Sequence, residues 1–121
     1  MILGQSGRGK SSLALQLMAM GAVLVADDQT CLSVHEDHLI ADAPDTIRGQ
    51  IEARFVGILA ALHAGPTPVQ LVIDLDQVED ARLPDHRTIT LLGLTRPLIR
   101  GHDAPHFAAA VHLYLTGTRL A

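Results

Sequence analysis

Apolar residues along this chain fall into short runs whose period changes repeatedly. Residues 1–3 read as the tail of a β-strand. Residues 10–20 carry Leu13, Leu17 and Met20 at helical spacing, and Gly21 follows as a stop. Leu15 and Met18 add apolar side chains on other faces, which predicts a helix buried on several sides. Residues 22–26 ("AVLVA") read as a short buried strand. Residues 30–34 and 39–43 flank "HEDH" and predict a hairpin. Pro44 and Asp45 open a short helix through Ile51. Residues 69–75 ("VQLVIDL") read as another apolar strand after a turn at 65–68. Residues 88–92 and 97–99 suggest further strands. Pro105 then leads into a C-terminal helix over 107–115. Strands and helices interleave, so the predicted class is α/β.

Composition narrows this picture. The 121 residues suffice for one domain. Hydrophobic residues make up 48% and aromatics only 2%, so the core must be aliphatic. The formal net charge is −4 and no basic patch stands out, which argues against a nucleic-acid partner. Cys31 is the only cysteine. It excludes a disulfide within the chain, fits a reducing compartment, and reads as a small buried apolar residue. No apolar run approaches the length of a membrane span and no charged leader precedes one. The expected setting is the cytoplasm, away from membranes.

The chemistry begins at "GQSGRGKS". Gly4, Gly9, Lys10 and Ser11 meet the pattern G-x-x-x-x-G-K-[ST], the P-loop. Backbone N–H groups must wrap a phosphate chain there, and glycines allow both the close approach and the unusual dihedrals. The following helix aims its positive end at the phosphates. Residues Gly4, Gln5, Ser6, Gly7, Arg8, Gly9, Lys10, Ser11 and Ser12 form the expected nucleotide-binding stretch. Lys10 can reach the β- and γ-phosphates, and the Ser11 hydroxyl can ligate magnesium. Lys10 is also the only lysine; the other eight basic residues are arginines.

Phosphoryl transfer also needs carboxylates, and two runs supply them. "AVLVADD" ends in Asp27 and Asp28, and "VQLVIDLD" brings Asp74 and Asp76. Adjacent aspartates repel, so a cation or a proton must settle them. Such a pair permits divided labour, one carboxylate on a metal and one on the acceptor hydroxyl. Asp74 is the competing metal carboxylate, as in a generic P-loop kinase of small molecules. The cofactors expected either way are ATP and Mg2+.

Several segments in order resemble the C-terminal catalytic domain of HPr kinase/phosphorylase, in a short form of α-proteobacterial type. They are "GQSGRGKSSLALQLMAMG", "LVADD", "APDTIRGQIEARFVGIL", "VIDL", "EDARLPD" and "RPLIRG". The resemblance implies a fold of the HPr kinase and phosphoenolpyruvate carboxykinase type, a mixed sheet with flanking helices, over residues 1–121. It implies a kinase moving phosphate from ATP to a seryl hydroxyl of an HPr-like phosphocarrier, with a possible reverse reaction to inorganic phosphate. It further implies a homo-oligomer, commonly a hexamer. By resemblance Asp27 is the general base and Asp28 supports metal or nucleophile. Ser11 and Glu52 contact the metal, Arg54 matches a signature arginine, and Arg82 meets the transferring phosphate or the partner.

The same resemblance exposes departures. The family has strands and a histidine before the P-loop, so a trimmed chain whose first strands are missing is expected. A family glycine is replaced by Phe55, where a bulky side chain opposes a positive-φ turn. A non-catalytic nucleotide-binding module is therefore the alternative. His35 with His38, and His102 with His106, lack the partners of a zinc site and read as surface histidines. The stripe "FAAAVHLYL" reads as core.

Overall fold

The computed structural model describes residues 1–121. Four strands form a mixed sheet in the order β1 (Ile2–Leu3), β7 (Val72–Val78), β9 (Leu94–Gly101), β8 (Arg87–Leu91). The first three run parallel and β8 is antiparallel to β9. A second sheet contains β2 (Cys31–His35), β3 (His38–Asp42) and β6 (Thr67–Pro68). A ribbon of β4 (Gln50–Ala53) and β5 (Gly57–Ala60) packs on helix α1 (Lys10–Ala19). Helix α2 (Phe107–Thr116) closes the chain.

Alternation along β7 explains the layers. Leu71 and Ile73 pack with Leu13 and Leu17 of α1 and with Ala108 and Val111 of α2. Val69 and Val72 point the other way, onto Leu39 and Ala41 of β3. A strand covered on both faces has no polar side, which is why this run is nearly continuous in apolar residues. Both helices lie on one face of the main sheet; the small sheet covers the other.

Most predicted elements are present, with corrections. The helix over 10–20 is α1, and Gly21 at φ 103° ends it. Only its Leu13–Leu17 stripe is buried, not several sides. The hairpin is β2–β3. Its Glu36 and Asp37 both have positive φ, as a two-residue type I′ turn requires.

The strand expected at 22–26 is not one. Leu24 alone makes a bridge, through Leu62 and Ala64, and Val23 is 51% exposed. The helix expected from Pro44 to Ile51 is a 3-10 turn, Asp45–Ile47. Arg48 reaches back to Asp42, Asp45 and the Ala43 carbonyl, and Gly49 at φ 74° then turns the chain into β4. The Arg48 guanidinium holds the Asp42 carboxyl below its usual range, chiefly through their hydrogen bond.

The strand expected at 69–75 begins and ends three residues later. Thr67 and Pro68, expected in a turn, pair with β3, and residues 69–71 carry the chain from one sheet to the other. Cys31 is exposed, not buried. In α2, Ala108 and Val111 are core, whereas Leu113 and Leu115 face solvent.

Candidate functional site

A loop of residues 4–9 joins β1 to α1. Gly4, Gly7 and Gly9 have φ of 156°, 87° and 91°. The last two lie in the left-handed region, where any side chain would be strained. Gly9 caps α1 without a side-chain hydrogen bond. The N–H groups of Gly7, Gly9, Lys10, Ser11 and Ser12 have no protein acceptor, so the helix end offers unpaired donors.

Asp76 of β7 pins the start of this loop. Its carboxylate accepts the Gln5 N–H at 3.0 and 3.2 Å and pairs with Arg8 at 3.4 Å. The Lys10 ammonium donates to the Gly4 carbonyl at 2.5 Å. The loop's first half is thus tied to the sheet, and its second half faces a cavity of about 420 Å³.

Ser6, Gly7, Gly9, Lys10, Ser11, Ser12, Leu15, Asp27, Asp28, Glu52 and Arg54 line that cavity. One helix end, the turn after residue 26 and the β4–β5 hairpin therefore meet at one point. Asp27 joins them. One of its oxygens accepts the Ser11 hydroxyl at 2.8 Å, and the other accepts the Glu52 N–H at 2.9 Å. Asp28, at φ 68°, accepts no hydrogen bond and makes no ion pair with a protein group. The adjacent aspartates have different surroundings: one accepts two hydrogen bonds from the protein, the other none.

No three His, Cys, Asp or Glu side chains converge well enough to hold a metal by themselves. Magnesium needs no such cage, since it takes one or two protein carboxylates plus substrate phosphates and water. The hard oxygens of Ser11, Asp27, Asp28 and Glu52 on one cavity suit it.

Not every expected residue is brought here. Gly4, Gln5 and Arg8 support the loop rather than line the cavity. Asp74 is turned to the Asp76 N–H and the Gln77 amide, also outside the cavity. Arg82 is exposed in the segment between β7 and β8 and does not line the cavity. Both ends of that segment are anchored. Glu79, only 9% exposed, pairs with Arg87 at 3.1 Å, and Arg119 donates to the Pro84 carbonyl. The Arg87 hydrogen bond keeps the Glu79 carboxyl below its usual range.

Phe55 does adopt the left-handed conformation that its side chain opposes, at φ 70°, with its ring fully exposed. Sequence reasoning missed the anchoring role of Asp76, although its alternation with Asp74 was a visible signal. A neighbouring apolar cavity of about 370 Å³ runs past Val23, Val25 and Leu71 and meets the polar one at Lys10, Asp27 and Asp28.

Residues 1–90 match the profile of the HPr Serine kinase C-terminal domain. The chain belongs to this family. The match takes in the loop, both aspartates, Glu52, Arg54 and Arg82. Among relatives, the HPr kinase/phosphorylase of Caldicellulosiruptor bescii is 48% identical over 60 residues, 49% of this chain and 19% of that protein. HPr kinase/phosphorylase 1 of Oceanobacillus iheyensis is 33% identical over 129 aligned positions, 100% of this chain and 40% of that protein. The solved HPr(Ser) kinase/phosphatase of Coxiella burnetii superposes with a TM-score of 0.78 at 25% identity, covering 95% of this chain and 83% of that one. The chain thus spans roughly a fifth to two fifths of the length of these curated relatives.

Proposed function

We propose that this HPr serine kinase-family chain carries the catalytic machinery of an ATP-dependent serine kinase. Its acceptor is an HPr-like phosphocarrier of the phosphotransferase system, and its setting is the cytoplasm. The working form is a homo-oligomer. The reverse reaction returns the phosphoryl group to inorganic phosphate. The P-loop amides and Lys10 bind the triphosphate and offset its charge.

The observation that carries this reading is the split between the aspartates. Asp27 is tied to Ser11 and to the Glu52 N–H, the two residues expected on magnesium, so it is the carboxylate of the metal side. Asp28 is free of protein partners and lines the same cavity, so it is the proton acceptor. This reverses the roles that resemblance gave the two residues.

In the transfer, the seryl oxygen forms a bond to the γ-phosphorus while its proton passes to the Asp28 carboxylate. The bond from phosphorus to the β,γ-bridging oxygen breaks, and its electron pair leaves with ADP. Magnesium held by Ser11, Asp27 and Glu52 would neutralise charge on the phosphate oxygens. Loop, helix end and hairpin hold reacting groups in line, which is where most of the rate gain in phosphoryl transfer arises.

The test is incubation with labelled ATP, magnesium and purified HPr-like carriers. Acid-stable phosphate on a carrier serine is the expected result. Tight nucleotide binding with no label on any carrier would contradict the kinase reading and leave a nucleotide-binding module.

A further inference from the structure

Along β4, Ile51 and Ala53 are buried while Glu52 faces out, and Arg54 continues the outward register just past the strand. Glu52 and Arg54 both line the polar cavity. Arg54 shares its wall with Asp27, Asp28 and Glu52, yet it makes no ion pair and no hydrogen bond. Arg82 and Arg100 are also without a partner, but neither lines this cavity, and the other five arginines are paired. Arg8, Arg48 and Arg87 pair with carboxylates, and Arg96 and Arg119 donate to carbonyls. Asp27 turns its two oxygens to the Ser11 hydroxyl and the Glu52 N–H, and neither is within pairing distance of Arg54. The turn that carries Arg54 is closed by the Val56 N–H on the Ala53 carbonyl at 2.9 Å. Arg54 is thus a cation on a hydrogen-bonded turn that faces the cavity with no protein partner.

We infer that Arg54 is the guanidinium that meets the terminal phosphoryl group of the nucleotide. The inference rests on the kinase reading above. Two placements favour the terminal group over the inner phosphates. The N–H donors of Gly7, Gly9 and Lys10 occupy the helix side of the cavity and serve the inner phosphates. Arg54 stands on the carboxylate side, where Asp28 must meet the acceptor hydroxyl. Arg82, given this role by resemblance, is exposed outside the cavity in a segment anchored at both ends.

Arg54 forms and breaks no bond in the transfer. It donates N–H groups to the phosphoryl oxygens, and its planar fork suits two of them at once. Such an arginine contributes most as charge spreads over the equatorial oxygens of the transition state.

The experiment compares magnesium-dependent binding of a fluorescent ADP and of a fluorescent, non-hydrolysable ATP analogue to the chain and to Arg54→Met and Arg54→Lys. In Arg54→Met, affinity for the ATP analogue should fall by about tenfold or more, the scale of a lost charged contact. ADP affinity should change far less, so the ratio of the two collapses. Arg54→Lys should restore part of that ratio but should not trap ADP with aluminium fluoride as tightly as arginine does. Equal losses for both nucleotides, or no loss for either, would overturn the inference and leave the kinase reading intact. A clear drop in melting temperature on Arg54→Met would also overturn it, because the side chain would then hold the fold. An unaltered chain that binds neither nucleotide would instead refute the kinase reading itself.

Discussion

Asp27→Asn and Asp28→Asn should differ sharply in stability, although the residues are neighbours. Asp27 accepts two hydrogen bonds, from Ser11 at 2.8 Å and from the Glu52 N–H at 2.9 Å. Asparagine can keep one through its carbonyl, but its NH2 must face the other partner, and the charge is gone. A hydrogen bond to a charged group contributes about 1.5–3 kcal/mol against about 0.5–1.5 for a neutral one. The site is half-exposed, so the lower end applies and the loss is about 1–2 kcal/mol. Asp28 accepts no hydrogen bond from the protein, and asparagine tolerates its φ of 68° well. Asp28→Asn should therefore stay within about 0.5 kcal/mol of the parent.

Urea unfolding followed by circular dichroism measures both. With a slope of about 2 kcal/mol per molar, Asp27→Asn lowers the midpoint by roughly 0.5–1 M. Asp28→Asn leaves it in place. In the transfer assay both should lose turnover, Asp27→Asn through a weakened magnesium site and Asp28→Asn because removing a general base costs about 10²- to 10⁴-fold. Asp28→Asn should lose that much turnover with nucleotide affinity kept. If Asp28→Asn were the destabilised variant, or turned over normally, the division of roles would be wrong.

Phe55→Gly should stabilise the chain. It relieves a left-handed strain of about 1–2 kcal/mol, less about 0.4–1 kcal/mol for the freer unfolded glycine, a net gain near 0.5–1. Phe55→Ala is the control: it removes the exposed ring without relieving φ, so an equal gain there would refute backbone strain as the cause. Gly49→Ala should cost about 2 kcal/mol or more, since φ is 74° and the new Cβ would stand 2.6 Å from the His63 ring. Thermal melts of Gly49→Ala with and without His63→Ala separate the two parts; no recovery in the double variant would rule out the clash.

The loop and α1 were legible in the sequence because their requirements are local: positive φ at Gly7 and Gly9, and helical spacing at Leu13 and Leu17. The hairpin at Glu36-Asp37 was legible for the same reason. The run 22–26 was misread because an apolar stretch becomes a strand only where neighbours complete the ladder, and here Leu24 alone finds partners. The ribbon β4–β5 was half visible. Glu52 and Arg54 have the spacing of one strand face, but Gly57–Ala60 is exposed at every residue and carries no burial period. Asp27 and Asp28 could not be told apart by order along the chain, because the difference lies in what folds back onto them. Resemblance singled out both Arg54 and Arg82, and only the folded chain shows that Arg54 lines the cavity while Arg82 does not.

The proposed chemistry depends on a polyphosphate gripped by the amides of Gly7 and of residues 9–12 together with Lys10. Isothermal calorimetry of ADP into the folded chain, with and without magnesium and beside Lys10→Met, tests it most directly. One site per chain is expected, tightened by magnesium and weakened by Lys10→Met by about tenfold or more. Absence of binding to well-folded protein, or an affinity indifferent to Lys10, would contradict it.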